Sequence, residues 1–117
     1  MTESLKLTVD DQRDSLAVIY TDGYINNQGG EEIARVAYEL IDKGQKNLLL
    51  NLAGTKIVNS IGISILIEII EKMLEIDGKL AFCSLTPTIE KTFHIMGLAQ
   101  YAGIYPDEDD AVQALAP

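Results

Sequence analysis

Residues 48–66 read LLLNLAGTKIVNSIGISIL, and this stretch decides the fold. Leu48-Leu49-Leu50-Asn51-Leu52 is almost continuously apolar, which favours an interior strand covered on both faces or paired in parallel. A loop follows. A helix then begins at Val58-Asn59-Ser60-Ile61-Gly62 and runs to about Ile76, where Asp77-Gly78 ends it. Ser60 therefore stands at or beside a helix N-cap. There the free backbone N–H groups and the positive dipole end favour a serine oxygen, and they favour a phosphate as well. A plain capping serine and a phosphate-accepting serine both fit the pattern.

Upstream, Leu5, Leu7 and Val9 alternate with polar residues as in a half-buried strand. Asp10–Asp14 reads as a polar turn, and Leu16–Tyr20 as the second strand of a hairpin. Gly23–Gly30 reads as a loop whose glycines and asparagines permit positive φ. Ile33, Val36, Ala37, Leu40 and Ile41 keep the spacing of an amphipathic helix, closed by Gly44. Downstream, Lys79–Leu85 is a strand. Thr86-Pro87 opens a helix with inner positions Ile89, Phe93 and Met96, and Gly97 ends it. The acidic run Asp107–Asp110 suits the first turn of a last helix reaching Ala116. The order β-β-α-β-α-β-α-α predicts one α/β domain over residues 1–117. Its sheet is mixed, has about four strands, and carries helices packed on it.

Composition narrows the function. An apolar fraction of 47% with 23% charged residues is ordinary for one globular domain of 117 residues. The net charge of −9 repels a phosphate backbone and an anionic membrane surface, so a protein or small molecule is the expected partner rather than a nucleic acid. No apolar run reaches the ~18 residues that span a bilayer, so no membrane insertion is expected. Met1-Thr2-Glu3-Ser4 has neither a basic region nor an apolar stretch, so no secretory signal is expected and the cytoplasm is the expected compartment. A single cysteine, Cys83, and a single histidine, His94, leave little for a disulfide or a zinc site, and no metal or cofactor is expected. Cys83 in a strand reads as a buried, inert thiol.

On the helix after Ser60, Ile63, Leu66, Ile67, Ile70, Met73 and Leu74 cluster on one side as the core face. Ser64, Glu68, Glu71 and Glu75 lie opposite, in solvent. Ile61, Ile65 and Ile69 form a third stripe. Either a neighbouring element covers that stripe, or it is an apolar contact patch beside the serine. Hydrolase chemistry at Ser60 lacks support. Val58 stands where a nucleophile elbow needs glycine, and His94 is the one available imidazole, on a different helix. No phosphate-binding P-loop motif is present.

Asn51-Leu52, Asn59-Ser60-Ile61-Gly62, Gly23-Tyr24-Ile25-Asn26 and Pro87–Leu98 (PTIEKTFHIMGL) together resemble the STAS domain of bacterial anti-sigma factor antagonists, over nearly the whole chain. Asn59 and Asn26 stand where that family usually has Asp, and Ile61 where it has a second Ser or Thr. The resemblance implies a non-enzymatic regulator. Unphosphorylated, it binds an anti-sigma factor with serine kinase activity and releases a sigma factor. Phosphorylation at Ser60 switches it off, and a phosphatase resets it. If the second and third strands are parallel neighbours, the Gly23 loop and the Asn59-Ser60 turn leave the same sheet edge, so the expected contact surface is Tyr24, Ile25, Asn26, Asn59, Ser60, Ile61, Gly62 and Ile65. The long helix seam is used by the core, so a monomer or weak dimer is expected. The departures at Asn59 and Ile61 keep open a STAS domain that never switches, serving as a scaffold in a signalling assembly or as a subunit of a lipid transport system.

Overall fold

The computed structural model describes residues 5–13 and 15–115. The elements run β1 (Lys6–Arg13), β2 (Leu16–Asp22), α1 (Asn27–Asp42), β3 (Asn47–Gly54), α2 (Ser60–Glu75), β4 (Lys79–Cys83), α3 (Pro87–Ile95), a short 3-10 turn (Leu98–Gln100), β5 (Gly103–Tyr105) and α4 (Glu108–Leu115). They build one sheet of five strands in the order β1-β2-β3-β4-β5, with β1 antiparallel to β2 and every other pair parallel. The expected mixed α/β sheet is present with one strand more than foreseen. Asp14, Ala116 and the Met1–Ser4 stretch lie outside the described residues.

The period of two along each strand sorts side chains between two cores. Ala17, Ile19, Leu48, Leu50, Leu52, Leu80 and Phe82 point to the face covered by α1, α2 and α3, where Phe82 meets Phe93 edge-on at 5.0 Å. Leu16, Val18, Leu49, Ala81 and Cys83 point to the other face, where Ala111 and Leu115 of α4 cover them. Burial on both faces explains why β3 reads as an unbroken apolar run rather than an alternating one. A polar clasp holds α4 in place. Tyr20 Oη and Asn51 Nδ2 donate to the two carboxylate oxygens of Glu108, at 3.0 and 3.1 Å, with Arg13 4.0 Å away.

The structure corrects several expectations. Asp10–Arg13 is the distorted end of β1 rather than a turn, with a register shift between Asp10 and Arg13 and those two side chains paired at 3.3 Å. The Gly23–Gly30 loop ends earlier than its composition implied, because Asn26 caps α1 and Gly29 and Gly30 are buried in its first turn. A Cβ on Gly29 would lie 2.7 Å from the Tyr24 carbonyl oxygen, and one on Gly30 would lie 2.8 Å from Ile65 Cδ1, so close packing selects both glycines. On α2 the apolar arc is rotated toward α1. Ile69, assigned to the outer stripe, is completely buried, whereas Leu74, assigned to the core, is half-exposed. Met96 is also exposed, because α3 stops at Ile95 and Met96 is its C-cap. β5 escaped notice because three residues carry no periodicity, and pairing with β4 alone makes them a strand.

Ile69→Ala should cost about 2–5 kcal/mol in denaturant unfolding, like Ile70→Ala, because both empty a filled core. Ile61→Ala should stay within about 0.5 kcal/mol of the parent, because it sits in solvent. The Tyr20 phenol is pushed up to about 12 by desolvation first, then by its hydrogen bond to Glu108 and the carboxylate charge. The folded state thus holds the phenolic proton to higher pH than the unfolded chain does. The contribution is complete below the unfolded value near 10.0 and is lost as pH rises toward 12. In a phenolate absorbance titration, Tyr20→Phe should remove the most alkaline of the tyrosine transitions.

Candidate functional site

Parallel pairing of β2 with β3 sends both chains out of the same sheet edge, and they remain joined beyond it. Gly23 N–H donates to the Gly54 carbonyl at 3.1 Å, Ile25 N–H to Ile57 at 3.0 Å, and Asn59 N–H to Ile25 at 3.1 Å, with Ile25 and Val58 forming a parallel bridge. Beneath them the buried hydroxyls of Thr21 and Thr55 share a hydrogen bond of 2.6 Å. A Cβ on Gly54 would lie 2.6 Å from the Thr21 carbonyl oxygen, so glycine lets the two chains approach this closely.

From this weld two helices start side by side in the same manner. The Asn26 Oδ1 accepts from Gly29 N–H at 2.9 Å, and the Asn59 Oδ1 accepts from Gly62 N–H at 2.8 Å. Each asparagine sits in extended backbone, one residue before its helix. The cap of α2 is therefore Asn59, and Ser60 is its first helical residue, exposed at the rim. Having Asn59 as cap leaves the Ser60 hydroxyl free of that duty. Ser64, one turn further on, returns its hydroxyl to the Ser60 carbonyl at 3.1 Å. No acidic residue stands in the first turn of either helix. Ile57 and Ile61, 58% and 53% exposed, flank the serine. Asp22, Gly23, Tyr24, Gly54, Lys56 and Ile57 line a shallow depression of about 270 Å³ beside it.

The eight residues expected at the contact surface do converge on this edge, but at different depths. Ser60 and Ile61 are exposed, and Tyr24, Asn26, Asn59 and Ile65 are partly so. Ile25 and Gly62, expected among the contact residues, are buried and expose no side chain at this edge. Ile25 fills the core, and Gly62 lies directly against the Ile25 carbonyl oxygen. Ile65 is largely committed to packing on Gly30. Lys56 and Ile57 also lie at this edge, in an irregular loop that gives no periodicity to read. His94 lies in the last turn of α3, 3.9 Å from Glu90. Since α3 starts from the same sheet edge as α2, its last turn is carried away from Ser60. Burial pushes the Cys83 thiol up to about 11. Among the described residues no group of His, Cys, Asp or Glu is placed to hold a metal ion, and no helix is long and apolar enough to cross a membrane.

Two substitutions should separate the cap from the close approach. Asn59→Ala should cost about 1 kcal/mol, the usual loss when a capping side chain goes. Gly62→Ala should cost more, because its new methyl runs into the rigid Ile25 carbonyl rather than into a side chain that can turn aside. Denaturant unfolding of both variants tests the order.

The STAS domain family model matches residues 8–111 of this chain. BtrV of Bordetella bronchiseptica, a proposed anti-sigma factor antagonist, is 24% identical over 102 residues, covering 87% of this chain and 84% of that protein. An anti-sigma factor antagonist from Mycobacterium paratuberculosis has the same fold, with a TM-score of 0.84 at 23% identity over 97% of this chain and 96% of its own. The Bacillus cell fate determinant SpoIIAA in its phosphorylated form gives 0.74 at 17% identity, over 93% and 98%. The family match extends from β1 into the first turns of α4 and includes the whole edge around Ser60, and the chain belongs to the STAS domain family.

Proposed function

We propose that this protein is an anti-sigma factor antagonist. Unphosphorylated, it binds an anti-sigma factor that is also a serine kinase, and phosphorylation of Ser60 releases that partner. A phosphatase returns it to the binding form. It acts in the cytoplasm, as a monomer or weak dimer, and catalyses no reaction itself. The observation that carries this reading is the position of Ser60: exposed, first in α2, and flanked by the exposed side chains of Ile57 and Ile61. The relatives described as anti-sigma factor antagonists support it.

The physics of the switch follows from that position. A phosphoserine adds about −1.5 to −2 charge at pH 7. The first-turn N–H groups and the dipole of α2 stabilise such a charge by ~0.3–1 kcal/mol at an exposed site, so the fold tolerates it. The asparagine at position 59 helps, since it caps the helix without putting a carboxylate beside the incoming phosphate. The penalty falls on the complex. A partner seated on Ile57 and Ile61 has to strip water from the phosphate between them, and a buried unpaired charge is costly. Each ~1.4 kcal/mol lost is tenfold in affinity, so a modest penalty empties the complex.

The test is incubation with the cognate kinase and ATP, read by intact mass and peptide mapping. One phosphate should appear, on Ser60. Thr55 is buried, and Ser64 has its hydroxyl tied to the helix backbone. Ser60→Ala should bind the partner constitutively, and Ser60→Asp should bind less well. Ile57→Ala, Ile61→Ala and Tyr24→Ala should each weaken binding by about 1 kcal/mol or more, with the thermal midpoint within a few degrees of the parent. If the protein binds its partner but its mass never changes, it is a STAS interaction module without a switch.

A further inference from the structure

A second surface lies along the C-terminal half of α2, about 10–20 Å along the helix axis from Ser60. Ile67, Ile70 and Leu74 of α2 face Met96, Leu98 and Tyr101 across a groove of about 410 Å³. Leu74, Met96 and Tyr101 are 49%, 51% and 63% exposed. The helical spacing of Leu74 and Met96 marks both as inward-facing, yet nothing in the described chain covers them. Leu74, Met96 and Tyr101 are three of the eight large apolar side chains exposed among the described residues, and all three line this groove.

The charge around the groove indicates what covers it. Glu71 lines it, while Glu68 and Glu75, one turn to either side along α2, are exposed on the flank toward α1, where their charges act on Tyr38. Lys72 is the one basic residue on that helix. A second copy of this chain would set Glu71 against Glu71 on domains of net charge −9, which opposes self-association through this face. An apolar floor with the Glu71 carboxylate at its rim, on a domain of net charge −9, complements a helix with apolar residues at i, i+3, i+4 and i+7 and basic residues along its flank.

We infer that the groove between α2 and the α3–β5 connection is a docking site for a basic amphipathic helix of a partner protein, separate from the Ser60 surface. A partner held there remains bound whether or not Ser60 carries a phosphate. The groove therefore tethers an assembly, while the serine end switches it.

The probe is a peptide of about 15 residues, long enough to form a helix, with leucines at i, i+3, i+4 and i+7 and lysines elsewhere. Methyl-labelled methionine supplies the readout, since Met96 lies in the groove and Met73 is buried in the core. The Met96 signal should shift saturably on titration while Met73 moves little, and added salt should weaken the binding. Tyr101→Glu should reduce affinity roughly tenfold or more, as loss of an aromatic anchor does. Leu74→Glu should act the same way, with Tyr101→Glu the deciding variant if Leu74→Glu lowers the unfolding midpoint. Ile61→Glu should leave binding unchanged. Equal binding by a sequence-scrambled peptide, or by one with glutamates for lysines, would overturn the proposal. So would a Met96 signal that moves with the protein's own concentration, which would make the occupant a second copy. Loss of binding in Ile61→Glu would place the peptide at the serine end and overturn it too.

Discussion

The rest of the molecule depends on β2 and β3 running parallel and staying joined after the sheet ends. Ordinarily two strands diverge into their loops at the last ladder hydrogen bond. Here the pairing is carried on by Gly23 with Gly54 and by Ile25 with Ile57 and Asn59. That extension fixes the starts of α1 and α2 relative to one another. The requirement is steric as much as hydrogen-bonded. Gly54 and Gly62 both stand where backbone touches backbone, and Ile25 is driven fully into the core between them. The backbone that leads to the exposed serine is fixed by hydrogen bonds and close packing within the domain itself.

Much of this was legible in the sequence, for identifiable reasons. The unbroken Leu48–Leu52 run signalled a strand buried on both faces, and the two cores divide its side chains as that reading requires. The placement of Ser60 followed from a strand, a loop and a capping residue in short succession. What failed depended on neighbours distant in sequence. Periodicity gave α2 an apolar arc wider than the surface available to it, but could not say toward which side it rolls. In the fold α2 packs on α1 through Ile65 against Gly30, Ile69 is buried, and Leu74 is left half-exposed. β5 is a strand only because β4 lies beside it. Ile57, the apolar neighbour of Ser60 on the loop side, sits in a segment where no repeat exists to be read.

The charges are distributed to match. A chain with twice as many acidic as basic residues nonetheless keeps acids out of the first turns of α1 and α2, while the first turn of α4 carries Glu108, Asp109 and Asp110. All three helices gain from their N-terminal dipoles. In α4 the gain comes from fixed carboxylates, one of which also grips Tyr20 and Asn51. At α1 and α2 uncharged asparagines do the capping, and the remaining N–H groups are open to whatever arrives. The same helix-end physics thus locks one element down and leaves another receptive.

The shortness of β5 has a consequence for crowded conditions. A sheet whose edge strands are long and apolar invites other chains to add to it, and growth of that kind leads to fibres. In this sheet one edge offers three residues, and the other is β1, which carries Lys6, Asp10, Asp11 and Arg13 and loses its regular register near its end. Neither edge makes a good template. Addition of a further strand at either edge is therefore disfavoured, and copies of the domain held close together have no open ladder through which to join.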